Sequence, residues 1–244
     1  MKKSGAKRRT EKSLMITIKT KEEIKTLREG GRRLAAILAE LVSRVRPGMT
    51  SLELDTIARE LAEKGGDKSA FLGYRPRGVK IPFPASLCVS FNNEVVHGIP
   101  SDKKVFREGD VVAIDMGLIH GGLYTDSAVT VVIGPNGAAS AEEAKKIDPE
   151  AAQLVEVTRK ALMKGIEAVK PGNTVGDIGA AIEAFVKPYG YGHAEGLAGH
   201  GVGYKVHEDP FVPNTGEKGE GEVLKPGMVI AIEPMLNEGT GRVV

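Results

Sequence analysis

Arg107-Glu108-Gly109-Asp110-Val111-Val112-Ala113-Ile114-Asp115 returns later in the chain as Lys225-Pro226-Gly227-Met228-Val229-Ile230-Ala231-Ile232-Glu233, with seven of nine positions identical or conservative. A second pair precedes it in the same order. Val45-Arg46-Pro47-Gly48-Met49-Thr50 and Val169-Lys170-Pro171-Gly172-Asn173-Thr174 are identical at four of six positions. The offsets are 118 and 124 residues, so both matches fit one internal duplication with a short indel. Chance similarity of apolar strands accounts for one match, but not easily for two in the same order. Two copies at so long a period are not a solenoid.

Local signals outward from these stretches repeat as well. Thr20 with Glu23 and Thr50 with Glu53 have capping-box spacing. The first pair opens a helix carrying Ile24, Leu27, Leu34, Leu38, Leu41 and Val45, which Pro47-Gly48 closes; the second carries Leu54, Ile57, Ala58 and Leu61 and stops at Gly65-Gly66. In the second half Asp148-Pro149 forms an N-cap and first-turn pair before Ala152, Val155, Leu162 and Ile166, and Thr174 with Asp177 repeats the role of Thr50. Segments 86–91 and 110–133 are rich in β-branched residues, are broken by Gly, and read as strands. The fold class that follows is α+β: two helix–helix–strand halves forming one pseudo-two-fold unit.

Composition bounds the rest. Of the 244 residues, 41% are hydrophobic and 27% charged, which fits a soluble globular protein and excludes a disordered chain, a collagen or a disulfide scaffold. No apolar run approaches the ~18 residues of a membrane span, and no secretory apolar segment follows the basic start. Cys88 is the single cysteine, so no intrachain disulfide forms and a reducing cytoplasm is expected. The net charge of +2 is uneven, because Lys2, Lys3, Lys7, Arg8, Arg9 and Lys12 crowd the first residues. Residues 1–15 are expected to form a flexible basic tail, either simply solvated or touching an anionic surface such as ribosomal RNA. The remaining 16–244, expected as one domain, are slightly acidic, which argues against a nucleic-acid-binding core and a DNA partner.

The carboxylates carry the chemistry. Asp115 stands in the apolar run 111–117 and Asp126 in Leu123-Tyr124-Thr125-Asp126-Ser127-Ala128, with His120-Gly121-Gly122 between them as a turn. A hairpin turning at His120-Gly121 pairs Asp115 directly with Asp126, with Cβ atoms roughly 5 Å apart. Two anions so placed need a cation or a shared proton. A solvent-facing pair without a ligand is the plainer alternative, and a one-residue slip would separate them. Glu233 duplicates Asp115, and pseudo-symmetry brings it to the same centre. A third carboxylate favours divalent metal, in the two-ion hydrolytic arrangement. His200 and His207 flank Gly201-Val202-Gly203-Tyr204, and a turn near Gly203-Tyr204 sets them opposite each other as a candidate ligand and neighbour. His97 lies in Val95-Val96-His97-Gly98-Ile99-Pro100; His120 belongs to the hairpin turn, and His193 to a Gly-rich loop with no role.

Together, Asn93-Glu94-Val95-Val96-His97-Gly98-Ile99-Pro100, Ile114-Asp115 with Thr125-Asp126, Gly199-His200-Gly201-Val202-Gly203 and Ile232-Glu233-Pro234-Met235 resemble the type I methionine aminopeptidases over residues 16–244. The resemblance implies the duplicated pita-bread (creatinase/aminopeptidase-like) fold, an antiparallel sheet covered by helices. It implies removal of the initiator methionine from nascent polypeptides when the second residue is small and uncharged. It further implies Asp115, Asp126, His200 and Glu233 as ligands of two divalent ions (Co, Mn, Fe or Zn). Glu233 would be general base, His207 would donate to the developing oxyanion, and His97 would hold the backbone of the second residue. Tyr74, Phe83 and Cys88 match pocket positions for the methionine side chain, with Phe83 where tyrosine is common; ordinary core is their other reading. The expected partners are nascent N-termini, with no membrane, and the ribosome through the basic tail; the expected state is a monomer.

The family pattern also contains a fifth ligand, a glutamate some thirty residues beyond the position of Glu233, and a pocket tryptophan. The chain reads to Val244, and the duplicate of Asp126 would fall there or just after. The resulting expectation is a domain lacking its final strands and a polypeptide of 244 residues with little or no aminopeptidase turnover. Two other readings are weighed beside it: a non-catalytic pita-bread module that binds peptides or ribosomes, and a proline-specific peptidase of the same fold. Retention of four ligands and both substrate histidines speaks against the first, and the short first half against the second.

Overall fold

The computed structural model describes residues 16–244 apart from Arg77; the expected basic tail, residues 1–15, lies outside the described residues. The chain enters along residues 16–20 and starts α1 (Lys21–Arg44) at Thr20, whose hydroxyl accepts from the Glu23 N–H while the Glu23 carboxylate accepts from the Thr20 N–H. Thr50 and Glu53 start α2 (Ser51–Lys64) in the same way. Helix α1 buries Leu27, Leu34, Ile37, Leu38 and Leu41 along one stripe, as a 3.6-residue period requires.

That stripe packs on a twisted antiparallel sheet. Its spine is the hairpin of β3 (Val111–His120) and β4 (Leu123–Gly134), extended by β5 (Gly137–Ala138) beyond β4. Two short strands, β1 (Lys68–Ser69) and β2 (Cys88–Phe91), pair in turn along the free edge of β3. Leu34, Leu41, Leu54, Leu87, Phe106, Ile114 and Leu118 close the core between helices and sheet. The hairpin turn corrects the expected register. Gly121 and Gly122 both adopt positive φ, 56° and 82°, so they form the two-residue turn and His120 pairs with Leu123. A type I′ hairpin turn requires positive φ at both central residues, and the Gly pair meets that demand where His120 would be strained. Asp115 therefore faces Ala128 and Asp126 faces Gly117, a slip of two residues that leaves both carboxylates on one side of the sheet.

Ser140 caps α3 (Ala141–Ile147), a helix the sequence reading passed over; Asp148 caps α4 (Pro149–Glu167), and Thr174 with Asp177 caps α5 (Val175–Val186). After a 3₁₀ turn the chain forms β6 (Gly192–His193), β7 (Gly199–Gly201), β8 (Glu208–Val212) and β9 (Leu236–Asn237), where β7 pairs with β8 and β6 with β9. A second core of Ala161, Ile178, Ile182, Val186, Val212 and Leu224 belongs to this half.

The duplication is visible in hydrogen bonds. The bridge Thr50–Val105 has its counterpart in Thr174–Val223, at the offsets 124 and 118 seen in the sequence. Ser51 N–H donates to the Lys104 carbonyl at 2.8 Å and Val175 N–H to that of Glu222 at 3.0 Å; Phe106 N–H reaches Met49 at 2.9 Å and Leu224 N–H reaches Asn173 at 2.8 Å. One expectation is corrected. Residues 225–233 do not form a regular strand like β3, because their ladder is short: Ala231 exchanges both backbone bonds with His200, and Val202 N–H reaches Val229.

Phe106 is fully buried and stacks on Phe91 with ring centroids 5.1 Å apart. Phe106→Ala is expected to cost about 3–5 kcal/mol of unfolding free energy, measured by denaturant titration.

Candidate active site

The hairpin, the β7–β8 turn and the 225–233 segment converge. Strand β3 supplies Asp115 and β4 supplies Asp126 as diagonal neighbours, close enough for each carboxyl to shift the other's protonation. His200 arrives from β7. Its Nδ1 donates to the Gly201 carbonyl at 2.8 Å, which turns Nε2 toward Glu233 Oε1 at 3.1 Å and Asp126 Oδ2 at 3.8 Å. Glu233 is seated by Asn214, whose amide donates to the Glu233 carbonyl at 2.8 Å. The Glu233 side chain is partly exposed, yet Oε1 is buried and has no well-aligned hydrogen bond. The four residues expected as ligands are thus together. Among the described residues, no three His, Cys, Asp or Glu side chains close around one point as a ready ion cage. They meet pairwise.

Enclosure sets the electrostatics. Burial lifts Asp115 well above the ordinary carboxylate range, and the charges of Asp126 and Glu233 add to the effect. Burial, then Glu233, raises Asp126 to about 6, against the opposing pull of His200. For His200, burial disfavours the imidazolium, but Glu233 and Asp126 outweigh it and the net shift is upward. Burial and the nearby His200 push His207 down to about 4, with His97 acting in the same direction.

The expected turn at Gly203-Tyr204 is wider than a hairpin. His200 pairs across with Phe211, Gly201 pairs with Glu208, and a bulge separates them, so His207 is not the cross-strand partner of His200. The rings meet nonetheless, edge to face, 4.4 Å between centroids. His207 Nδ1 is hydrogen-bonded to the Tyr74 hydroxyl at 2.7 Å. His97 is exposed and holds a positive φ of 59°, an uncommon conformation for a residue with a Cβ and one found at functional positions. His120 closes the hairpin and binds Asp67 at 2.7 Å, away from this centre.

Tyr74, Phe83 and Cys88 share one apolar cluster with Ala70, Phe71 and Val206, flanked by Ile119 and Tyr124. Phe71 sits edge-on to Phe83 at 6.5 Å. Cys88 pairs with Asp115 in the β2–β3 ladder, which fixes the cluster beside the carboxylates, and burial pushes its thiol far up, so it stays an unreactive thiol. Phe71 and Val206, which the sequence reading did not single out, belong to the same cluster. Their signal was proximity in the chain, Phe71 three residues before Tyr74 and Val206 next to His207.

The description of metallopeptidase family M24 matches residues 25–244. The chain is 44% identical to a methionine aminopeptidase of Aquifex aeolicus over 235 residues, 95% of this chain and 86% of that one. Its fold is similar to the crystal structure of a methionine aminopeptidase from Thermotoga maritima, with a TM-score of 0.84, 41% identity, and coverage of 94% of this chain and 86% of the other. A prolidase from Pyrococcus horikoshii superposes with a TM-score of 0.71 at 27% identity, covering 89% of this chain but 55% of the prolidase.

A carboxyl with a raised pKa in the folded state contributes stability below its unfolded value near 3.8 and loses it as pH rises through the folded value near 6. With a chelator present, wild-type protein is therefore expected to lose stability at this site between pH 4 and 6. Asp126→Asn should remove part of that loss, read as a smaller fall in melting temperature relative to wild type over the same interval.

Proposed function

Since the chain belongs to metallopeptidase family M24, with its model matched over residues 25–244, we propose that it is a metal-dependent aminopeptidase that removes N-terminal methionine from polypeptides whose second residue is small. One observation carries the reading: an imidazole and three carboxylates from both halves of a duplicated fold approach one another pairwise beside an apolar cluster. The proline-specific alternative is disfavoured because the chain spans much more of the methionine aminopeptidases than of the prolidase. Retention of all four donors disfavours a non-catalytic module.

The donors suit a divalent ion. Two ligands each about 2.1 Å from one ion lie roughly 3.0–3.4 Å apart, and His200 Nε2 stands 3.1 Å from Glu233 Oε1. The Nδ1 bond to the Gly201 carbonyl is the kind of outer contact that orients a ligating histidine. The buried Glu233 Oε1, which makes no well-aligned hydrogen bond, would gain a partner. We assign Asp115, Asp126, His200 and Glu233 to hold two ions of the Mn, Fe, Co or Zn kind. Such ions, when bound, polarise the scissile carbonyl and make water nucleophilic at neutral pH.

The chain's own groups do the rest. Glu233 accepts the proton of the attacking water and returns it to the leaving amine. His207, neutral and held through Nδ1 by Tyr74, presents Nε2–H to the oxyanion as charge develops. His97 fixes the backbone of the second residue. The Phe71, Tyr74, Phe83, Cys88 and Val206 cluster accepts the methionine side chain as one wall of a 16–244 catalytic domain. The same proposal makes the protein a cytoplasmic monomer meeting nascent chains, with the basic tail on ribosomal RNA; no helix among the described residues is long and apolar enough to cross a membrane.

Purified protein with Mn²⁺, Co²⁺ or Fe²⁺ is expected to release methionine from Met-Ala-Ser, to spare Met-Leu-Ser and Ala-Pro, and to stop when chelated. No release above the chelated blank overturns the reading. His207→Ala should lower kcat by about 10²–10³-fold, the usual effect of removing one oxyanion donor. An ion at about 100 times its Kd should raise stability by about 2.7 kcal/mol, and Asp126→Asn should abolish most of that gain in a thermal-shift titration.

A further inference from the structure

The segment that precedes α1 reaches across the molecule to the turn carrying His207. Lys19 N–H donates to the Gly227 carbonyl at 2.8 Å, and the Lys19 side chain runs beneath Gly203. A Cβ at Gly203 would come within 2.4 Å of Lys19 Cε, and the φ of +142° there suits glycine alone. Lys19 Nζ then meets Glu208 Oε2 at 2.8 Å, with the two side chains 1% and 6% exposed. Thr17 donates its hydroxyl to the same oxygen. The other oxygen, Oε1, accepts the backbone N–H groups of Tyr204 and Lys205, the latter at 2.8 Å. One carboxylate thus joins a buried cation to the backbone of the turn between His200 and His207. The turn is also tied to β4, because Tyr124 N–H donates to the Gly203 carbonyl at 2.7 Å, two residues before Asp126.

A buried ion pair gives little net stability over apolar residues of similar volume, since desolvation offsets attraction. What it does supply is a single geometry: both oxygens are occupied, and neither can turn without stranding a charge or two N–H groups. We propose that Lys19 and Glu208 are positioning residues that hold the 203–208 turn so that the His207 imidazole stays between Tyr74 and His200. Neither residue belongs to the apolar cluster of Ala70, Phe71, Cys88 and Val206, and their ion-pair and hydrogen-bond partners among the described residues include none of Asp115, Asp126 or Glu233. The pair's effect passes through the peptide bond joining Glu208 to His207 and through the Tyr204 and Lys205 amides. Glu208→Ala frees the turn, and a misplacement of about 1 Å at a catalytic group costs up to about 10²-fold in rate.

The inference rests on the aminopeptidase reading, and two readouts separate their fates. The first is steady-state kinetics on Met-Ala-Ser with Mn²⁺. Glu208→Ala should lower kcat at least about tenfold with KM within about threefold, and Lys19→Met should lower it less but in the same pattern. Glu208→Gln keeps an oxygen for the two amides and should recover most of the loss. The double variant should lose no more than Glu208→Ala, as members of one unit do. The second is the imidazole ¹⁵N–¹H spectrum of the full chain with Zn²⁺, in which Glu208→Ala and Lys19→Met should shift or broaden His207. Variants that melt earlier yet keep wild-type kcat and wild-type His207 resonances overturn the clamp. If Glu208→Ala does not fold, Lys19→Met decides by the same two readings. Inactive wild-type protein instead defeats the aminopeptidase reading and leaves the spectrum to judge the clamp.

Discussion

Three carboxylates gathered in one place, two of them buried, are the constraint to which the rest of the molecule answers. At an effective dielectric near 20, two unit charges 4 Å apart interact by about 4 kcal/mol, so Asp115, Asp126 and Glu233 resist being gathered. The upward shifts at Asp115 and Asp126 are that resistance expressed as affinity for a proton. A metal ion answers the same demand with more charge, and the family to which the chain belongs uses metal. The site therefore weakens the fold that holds it, and stability must come from elsewhere. It comes from two separate apolar cores, one under α1 and α2 and one under α4 and α5. The long β3–β4 hairpin, stiffened by pairing on both sides, keeps two of the carboxylates from moving apart.

Duplication explains how a carboxylate from each half reaches one place, but the halves do not build their arms alike. Asp115 lies within a ten-residue strand of a five-stranded sheet. Glu233 lies at the end of an extended segment that pairs only briefly with 200–202, and it depends on Asn214 for a fixed carbonyl. The shared inheritance is the turn before each arm. Gly109 and Gly227 have φ of 90° and 94°, and Gly48 and Gly172 have 85° and 89°. Sequence similarity preserved the entry geometry of both arms. Their partners then made one rigid and left the other more open, so that the acid placed on the open arm, Glu233, keeps one side of its carboxylate exposed.

What could be read from the sequence follows the range of the physics involved. The capping pairs at Thr20, Thr50 and Thr174 are complete within four residues, and each stands where the spacing put it. The duplication needed only the chain compared with itself. The hairpin register depended on which two of three turn residues took positive φ, and Gly121-Gly122 prevailed over His120-Gly121. Because side chains alternate with period two, that error left both aspartates on the correct face. The Tyr74–His207 bond and the Lys19–Glu208 pair, with Thr17 beside it, depend on segments 133 to 191 residues apart, and no local pattern announces them. Phe71 and Val206 were missed for the same reason, since an apolar residue shows its role only once its neighbours are known.

The division of labour proposed for His207 and Glu233 follows from their surroundings. An imidazole pushed down to about 4 by burial and by two neighbouring histidines is neutral at physiological pH. Having bound the Tyr74 hydroxyl through Nδ1, it has one nitrogen left to offer. A neutral imidazole fixed in this way is suited to donating a hydrogen bond and poorly suited to carrying a proton away, because the imidazolium it would become is disfavoured by the same burial. Glu233 has the opposite equipment: a carboxylate with one oxygen turned toward His200 and the other side open to solvent. In the proposed reaction, proton traffic therefore goes to the carboxylate on the open arm. The proposed oxyanion donor is the histidine bonded to Tyr74, and the two proposed tasks fall to segments with correspondingly different constraints.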